Sequence, residues 1–374
     1  MKTQRARGFT LIELLTALAI MMIIVTASAA VLVAGASMTR NGNQVVESND
    51  NVNAAGEMLA SSLRSACLGS LGGVNVANGG VPAAVSCVFG SDAQTNPQTN
   101  TVAPMSNLAG NAADELWAVV PDHNAFGETC SLAPGNGGQG TSITADTLTG
   151  SLPVQCTNTF TNTDLLEATQ LSSLPTGGVT SAILTVSGLT PNVISFNEQA
   201  ILGFSDSSSG WHKGDFVFRA HIYHFFIAPD PNANNIPALY RQPALPGPDS
   251  RGWPFKDDPT QSAQIYDGVE DLQLAYGFDP LGTGNPAAYT FQNQLTCGGG
   301  QPACAHSDLR SLRVNLVGHG SLRFTDSDGP SQSMLLRPLN VENHIWLVPP
   351  PPDGYRRTIY TRRIELANMT PSLL

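Results

Sequence analysis

Hydrophobic positions divide the chain into two regimes. From Leu14 to Met38 no charged residue occurs, and most positions are apolar or small. As an α-helix these residues extend about 38 Å at 1.5 Å per residue, enough to cross a hydrocarbon core of about 30 Å. Downstream the pattern changes without a break. Val45, Val52, Ala55, Leu59, Leu63 and Ala66 recur at intervals of seven, three and four, and Asn49, Asp50, Asn53, Glu57 and Arg64 fall mostly between them. That is one apolar stripe along a helix. The two stretches join into a single predicted helix from about Phe9 to about Cys67, roughly 88 Å long. Gly42 and Gly56 would each weaken it by about 1 kcal/mol relative to alanine. Gly69, Gly72 and Gly73 then end it.

The remainder reads as strands separated by turn-rich connections. Leu116 to Val120, Ile183 to Ser187 and Val193 to Asn197 are short runs of branched or aromatic residues, the last two joined by Pro191-Asn192. The longest run is Asp215 to Ala228. There Phe216, Phe218, Ala220 and Ile222 share one face, and Val217, Arg219, His221 and Tyr223 the other. Further strands are expected over Ala238 to Arg241, Ile265 to Tyr276, Ser311 to Val317 and Arg356 to Leu366. Segments near 70–112, 127–151 and 279–308 are rich in Gly, Asn, Thr and Pro and read as surface loops. Pro349 to Pro352 forms a stiff spacer. The expected class is α+β: a long N-terminal helix, membrane-spanning in its first half, packed on a mostly antiparallel sheet domain with long loops.

Composition refines this picture in two places. Lys and Arg number 18 against 29 Asp and Glu, a formal charge of −11. Such a chain repels phosphate backbones, which argues against direct nucleic-acid binding by counterion release. Lys2, Arg5 and Arg7 precede the apolar run, so the positive-inside rule keeps the N-terminus cytoplasmic and sends everything after Arg40 across the membrane. The protein is read as having one span and a large exported domain.

Three readings compete for the start of the chain. A secretory signal would be cleaved near Ala27-Ser28-Ala29, but the apolar stretch continues through Val31-Leu32-Val33 and opens with a carboxylate. A plain anchor explains the length but not Glu13. The hexapeptide Gly8-Phe9-Thr10-Leu11-Ile12-Glu13, set between a basic leader and a long apolar helix, resembles the type IV prepilin processing and methylation site. The resemblance implies cleavage by prepilin peptidase between Gly8 and Phe9, N-methylation of Phe9, and Glu13 as fifth residue of the mature chain. A carboxylate in an apolar helix costs at least ~2.5 kcal/mol on the lenient insertion scale and calls for a partner. The new amine of Phe9, one turn away or on a neighbouring subunit, would be that partner, so that Glu13 sets axial register in assembly. Solvation of Glu13 at headgroup level is the other reading for the unassembled chain.

The resemblance continues downstream. Leu239-Tyr240-Arg241 followed by Asp267-Gly268-Val269-Glu270-Asp271-Leu272-Gln273-Leu274-Ala275-Tyr276-Gly277, with the closing Tyr355-Arg356-Arg357, is similar to the C-terminal half of PilW-type minor pilins. Arg64-Ser65-Ala66-Cys67 stands where that family often carries Arg-Met-Ala-Gly, and 70–210 resembles nothing recognisable. A turn leading into an ordinary half-buried strand is the alternative reading of Gly268 to Leu272, which the resemblance does not exclude. The implied organisation is a leader over 1–8, a membrane or filament-core helix over 9–38, an amphipathic helix over 39–68 and an exported β-rich domain over 69–374. The implied role is a minor pilin that primes or supports type IV pilus assembly, in twitching motility, attachment or DNA uptake. Its partners would be other minor pilins, the major pilin, prepilin peptidase and the inner-membrane assembly platform. Its location would be the inner membrane, single-pass with a periplasmic C-terminal domain, then the pilus. A pseudopilin of a type II secretion system and a tip adhesin are the alternatives.

Chemistry beyond assembly finds little support. Cys67, Cys87, Cys130, Cys156, Cys297 and Cys304 all lie on the exported side and read as up to three disulfides; sequence-near pairing would give 67–87, 130–156 and 297–304. No Cys-x-x-Cys spacing suggests zinc. His221 and His224 would point to opposite faces of one strand. Asp326-Ser327-Asp328-Gly329 opens like a calcium loop but lacks the closing ligands. Ser207-Ser208-Ser209-Gly210 is not a nucleophile elbow, and phosphate and dinucleotide fingerprints are absent. No cofactor, metal or enzymatic activity is expected.

Overall fold

The computed structural model describes residues 10–66, 74–78, 81–91, 95–96, 101–102, 113–122, 130–131, 150–153, 160–169, 181–190, 193–196, 216–232, 236–247, 255–279, 285–292, 309–319 and 357–366. Helix α1 (Leu11–Ser65) is continuous over 55 residues, as the merged pattern predicts. It ends at Ala66, whose extended backbone returns its N–H to the Leu63 carbonyl. The stripe is its buried face: Val52, Ala55, Leu59, Leu63 and Ala66 are at most 1% exposed, and Asp50, Asn53, Glu57 and Arg64 face outward.

The first strands are β1 (Val74–Asn78), β2 (Val81–Val85), β3 (Val88–Ser91), β4 (Thr95–Asn96), β5 (Thr101–Val102) and β6 (Glu115–Pro121). Next come β7 (Cys130–Ser131), β8 (Gly150–Pro153), β9 (Leu165–Thr169), β10 (Ser181–Thr190) and β11 (Val193–Phe196). Then follow β12 (Phe216–Asp230), β13 (Ile236–Pro246), β14 (Phe255–Asp257) and β15 (Gln264–Asp267). The last four are β16 (Val269–Phe278), β17 (Thr290–Gln292), β18 (Leu309–His319) and β19 (Arg357–Glu365).

Among the described residues, β4 and β5 form a small ribbon, thirteen strands form a large branched sheet, and four form a second sheet in the order β17-β16-β18-β19. Pairing is antiparallel except between β1 and β10. β12 is the spine of the large sheet. Its first residues pair with β9, its middle with β6 and its second half with β13. The alternation expected along it holds from Phe218 to Tyr223, where the two faces differ in burial; Val217 is buried as well.

The second sheet carries the helix. Leu312, Val314 and Leu316 of β18 stand opposite Tyr276, Leu274 and Leu272 of β16 on one side and Ile364, Arg362 and Tyr360 of β19 on the other. Their apolar members join Leu59 and Leu63 in one buried cluster that also holds Trp117 and Val119 of β6. Close approach there depends on glycine. A Cβ on Gly318 would lie 1.9 Å from Cγ2 of Val52, and one on Gly56 would lie 2.4 Å from Cε1 of Tyr360.

Two expectations need correction. The strand expected over Ile265 to Tyr276 is two strands, broken at Gly268, whose φ of +73° suits glycine. β15 pairs with β13 in the large sheet, whereas β16 belongs to the second sheet and is buried almost throughout, not half-buried. Gly268 is therefore the joint between the sheets. The region 70–112 is more than a surface loop, because β1 and β2 form a hairpin with Asn78 opposite Val81. The glycine pair between them in sequence is a hairpin signal that the surrounding Gly and Asn content obscures. The other segments expected as loops also hold regular structure: β7 and the start of β8 lie within 127–151, and in 279–308 a short 3-10 turn (Pro286–Ala288) precedes β17.

Candidate assembly site

The chemistry-bearing feature at the start of α1 is built from Thr10 and Glu13. Thr10 caps the helix in an extended conformation. Its N–H and its hydroxyl both donate to Oε2 of Glu13, at 3.0 and 2.9 Å, and its Oγ1 accepts from the N–H of Glu13 at 3.3 Å. This is a reciprocal capping box, and it satisfies donors that a helix N-terminus otherwise leaves open. The sequence reading gave Glu13 an ammonium partner and overlooked Thr10; the Thr-x-x-Glu spacing is the signal that would have found it. Gly8 and Phe9 lie outside the described residues.

Beyond the cap, the apolar half of α1 is bare. Leu11, Ile12, Met22, Val31 and Leu32 are all at least 70% exposed, and Glu13 is the only charged residue from Leu11 to Thr39. The helix is long and apolar enough to cross a membrane. Hydroxyls within it turn back on their own backbone: Thr16 donates to the Glu13 carbonyl, Thr26 to Met22, Ser37 to Ala34 and Thr39 to Gly35. Such back-bonding lets a polar side chain sit in hydrocarbon without an orphaned donor.

The second half of α1 is fixed to β19 by polar contacts at the rim of the apolar seam. Glu57 pairs with Arg362 and accepts from the Tyr360 hydroxyl at 3.4 Å, while Ser48 donates to Thr358 at 3.3 Å. Glu270 of β16 and Arg357 of β19 form a two-pronged ion pair, one prong at 3.2 Å, with side chains only 11% and 14% exposed. Asp114 ties the sheets together: its Oδ2 accepts from the N–H of Leu274 and its own N–H donates to the Leu272 carbonyl, each at 2.8 Å. The result is a rod whose upper half is built into the domain and whose lower half is free to enter lipid or a bundle of like helices.

Other groups singled out by sequence take separate places. His221 is exposed and His224 buried, on opposite faces of β12 as expected. Among the described residues no cluster of three or more His, Cys, Asp or Glu could hold a metal ion. Cys87 is buried and disulfide-bonded. Cys130 begins β7, but its side chain, like Cys67, Cys156, Cys297 and Cys304, lies outside the description, as do Ser207 to Gly210 and Asp326 to Gly329. Glu167, which sequence reasoning passed over, sits in the middle of β9 with none of its surface exposed. Burial pushes its carboxyl up to about 8, against the opposing influence of Ser181.

An exposed apolar helix-half continuous with a domain-bound half defines a membrane-anchored α+β subunit. Two family models match the chain: the prokaryotic N-terminal methylation motif over residues 3–29, and type IV pilus-assembly protein W (PilW) over residues 224–368. The second match runs from the middle of β12 to just beyond β19. Together they support a type IV prepilin-like pilin of the PilW type, with 30–223 matched by neither. No curated protein and no solved structure was found to match.

Proposed function

We propose that this protein is a minor pilin that primes or supports assembly of a type IV pilus. Prepilin peptidase cleaves it after Gly8, and Phe9 becomes the methylated N-terminus. The observation that carries this reading is Glu13, the single charge from Leu11 to Thr39, placed in the first turn of the bare apolar half of α1. An uncompensated carboxylate is costly in hydrocarbon, and an ammonium on the same or a neighbouring chain relieves that cost in one axial register only. In the isolated chain the capping box occupies Glu13; on assembly the carboxylate exchanges Thr10 for the amine of an adjacent subunit. The C-terminal domain lies in the periplasm before assembly and at the cell surface afterwards, with other pilins and the inner-membrane platform as partners. The role is structural, not enzymatic.

Bulk supports minor status. About 300 residues of globular domain on every subunit would crowd a helical lattice, so the chain is expected to be far scarcer than the main subunit in sheared pili. Equal abundance would refute that. The central test is Glu13→Ala in the full chain, with the mass of the mature protein as control. The variant is expected to be cleaved and methylated normally, yet to disappear from the filament fraction. Normal incorporation would overturn the role of Glu13, and retention of residues 1–8 in the native chain would overturn the processing. Loss of motility, as opposed to loss of exoprotein release, in a deletion strain assigns the pilus rather than a secretion system.

A further inference from the structure

On one face of the large sheet, a histidine stands between two acids from two other strands. His224 of β12 is 5% exposed. Its Nδ1 donates to Oδ1 of Asp257 in β14 at 2.8 Å, and its Nε2 lies 3.3 Å from Oε2 of Glu115 in β6, a charge contact off the line of a hydrogen bond. Its ring lies flat on Trp117, with centroids 4.1 Å apart and planes within 4°, and its other neighbour is Phe226 at 4.5 Å. The strand register accounts for the cluster. His224 stands directly opposite Trp117 in β6 and opposite Gln242 in β13, while Asp257 is opposite Ala244, two residues further along β13. From β6 the charged group facing the imidazole is Glu115, from β14 it is Asp257, and β13 presents the neutral Gln242.

β14 is a three-residue strand at the end of the sheet's main path, and it carries the fully buried Phe255. Gln242 donates to the carbonyls of Asp258 and Gln261, at 2.9 Å each, so the same face also holds the turn that follows β14. Besides its backbone pairing with β13 and the Asp258 N–H bond to the Pro243 carbonyl, the sheet's outer edge therefore has two side-chain attachments on this face, one neutral and one ionisable.

We propose that His224 is a pH-sensitive latch: as an imidazolium it holds Asp257 by a charge-assisted bond with Glu115 beside it and tightens the β14 edge, and on losing its proton it loosens that edge. A neutral imidazole has one N–H: held on Nδ1 it leaves Asp257 a bond without charge assistance, about half as strong, and held on Nε2 it leaves Asp257 none, while the ring gives up the charge–π attraction to Trp117. Burial works against the charged form, and the hydrogen bond to Asp257 together with the Glu115 carboxylate outweighs it, so the group titrates above the ordinary histidine value. The sign follows from this. The latch contributes fully below the unfolded-chain value of about 6.5 and is lost as pH rises through the higher folded value. An exported domain takes the pH of its surroundings, so alkaline conditions would expose Phe255 and the β14 edge.

The test uses the full chain in detergent micelles. Ring-labelled histidine followed by NMR should place the His224 midpoint above the ordinary value, and Asp257→Asn should lower it. Amide-exchange protection over residues 255–261, corrected for intrinsic rates, should fall as the wild type passes that midpoint. Each unit by which the midpoint is raised corresponds to about tenfold in the opening equilibrium. His224→Gln should show low protection at every pH. A midpoint at or below the ordinary value, or protection in the wild type that does not change with pH, overturns the latch. Should His224→Gln fail to fold, the Asp257→Asn midpoint decides: an unchanged value counts against the proposal.

Discussion

The same substitution at two places in α1 should have opposite effects. Gly42 and Gly56 are both helical, and replacing either by alanine gains about 1 kcal/mol of helix propensity. Around Gly42 nothing lies within 4 Å of the added methyl, so Gly42→Ala keeps that gain. At Gly56 the methyl would lie 2.4, 2.5 and 2.7 Å from three ring atoms of Tyr360. Carbon atoms prefer about 3.5 Å or more, so the ring must retreat by about 1 Å. It is poorly placed to do so, because its hydroxyl sits 3.4 Å from Glu57 and 3.3 Å from Nη1 of Arg362, and its strand is paired throughout with β18. Overpacking of this kind costs about 1–3 kcal/mol, so at the centre of that range the net effect is a loss of about 1 kcal/mol. Gly56→Ala should therefore lower the thermal midpoint by about 2–4 °C, while Gly42→Ala leaves it level or raises it. Far-ultraviolet circular dichroism of the full chain in detergent measures both, and a Tyr360→Ala background completes the cycle, since truncating the ring should make Gly56→Ala harmless. If Gly56→Ala is as stabilising as Gly42→Ala, or its cost persists without the ring, the seating of α1 on β19 is wrong.

Other buried groups give sharper pH and pairing effects. Glu167 holds its proton to about pH 8 in the folded chain and only to about 4.5 when unfolded, so stability present below 4.5 is lost as pH rises towards 8; Glu167→Gln should remove that slope, worth on the order of 5 kcal/mol at most, in thermal melts taken across the range. Arg357→Ala should cost about 3 kcal/mol in urea unfolding by stranding the nearly buried Glu270, and replacing both residues with apolar ones should recover most of that loss.

What the sequence revealed and what it hid divide along sequence separation. The stripe from Val52 to Ala66 is legible because its spacing is a local property of one helix, and the same holds for β12 and for Glu13, a lone charge in an apolar run. Thr10 was equally legible through its spacing to Glu13. By contrast, the partners that give Gly56, Glu57 and Ser48 their meaning sit in β19, some 300 residues away, and only the folded register of β16, β18 and β19 brings them together. Gly56 looked like a weak point in the helix and is instead the seat of Tyr360. Gly268 looked like a turn before one strand and is where the chain leaves one sheet for the other. His224 offered two lines of evidence, a branched-aromatic strand and a titratable ring, but neither names Glu115 or Asp257 as its neighbours.

These long-range ties bear on the candidate site itself. Glu13 can position a subunit only if the helix that carries it is rigidly indexed to the domain above. The contacts that do the indexing are Val52 against Gly318, Gly56 against Tyr360 and Glu57 with Arg362, all within the region matched to PilW on the sheet side. A register error at the membrane and a packing error at β19 should therefore produce the same assembly defect. Gly318→Ala, which drives a methyl against both Val52 and the Gly268 carbonyl, is the variant that should impair incorporation while leaving Glu13 and its cap untouched. Incorporation at wild-type levels, in a variant shown to be destabilised, would mean that the helix assembles independently of the domain.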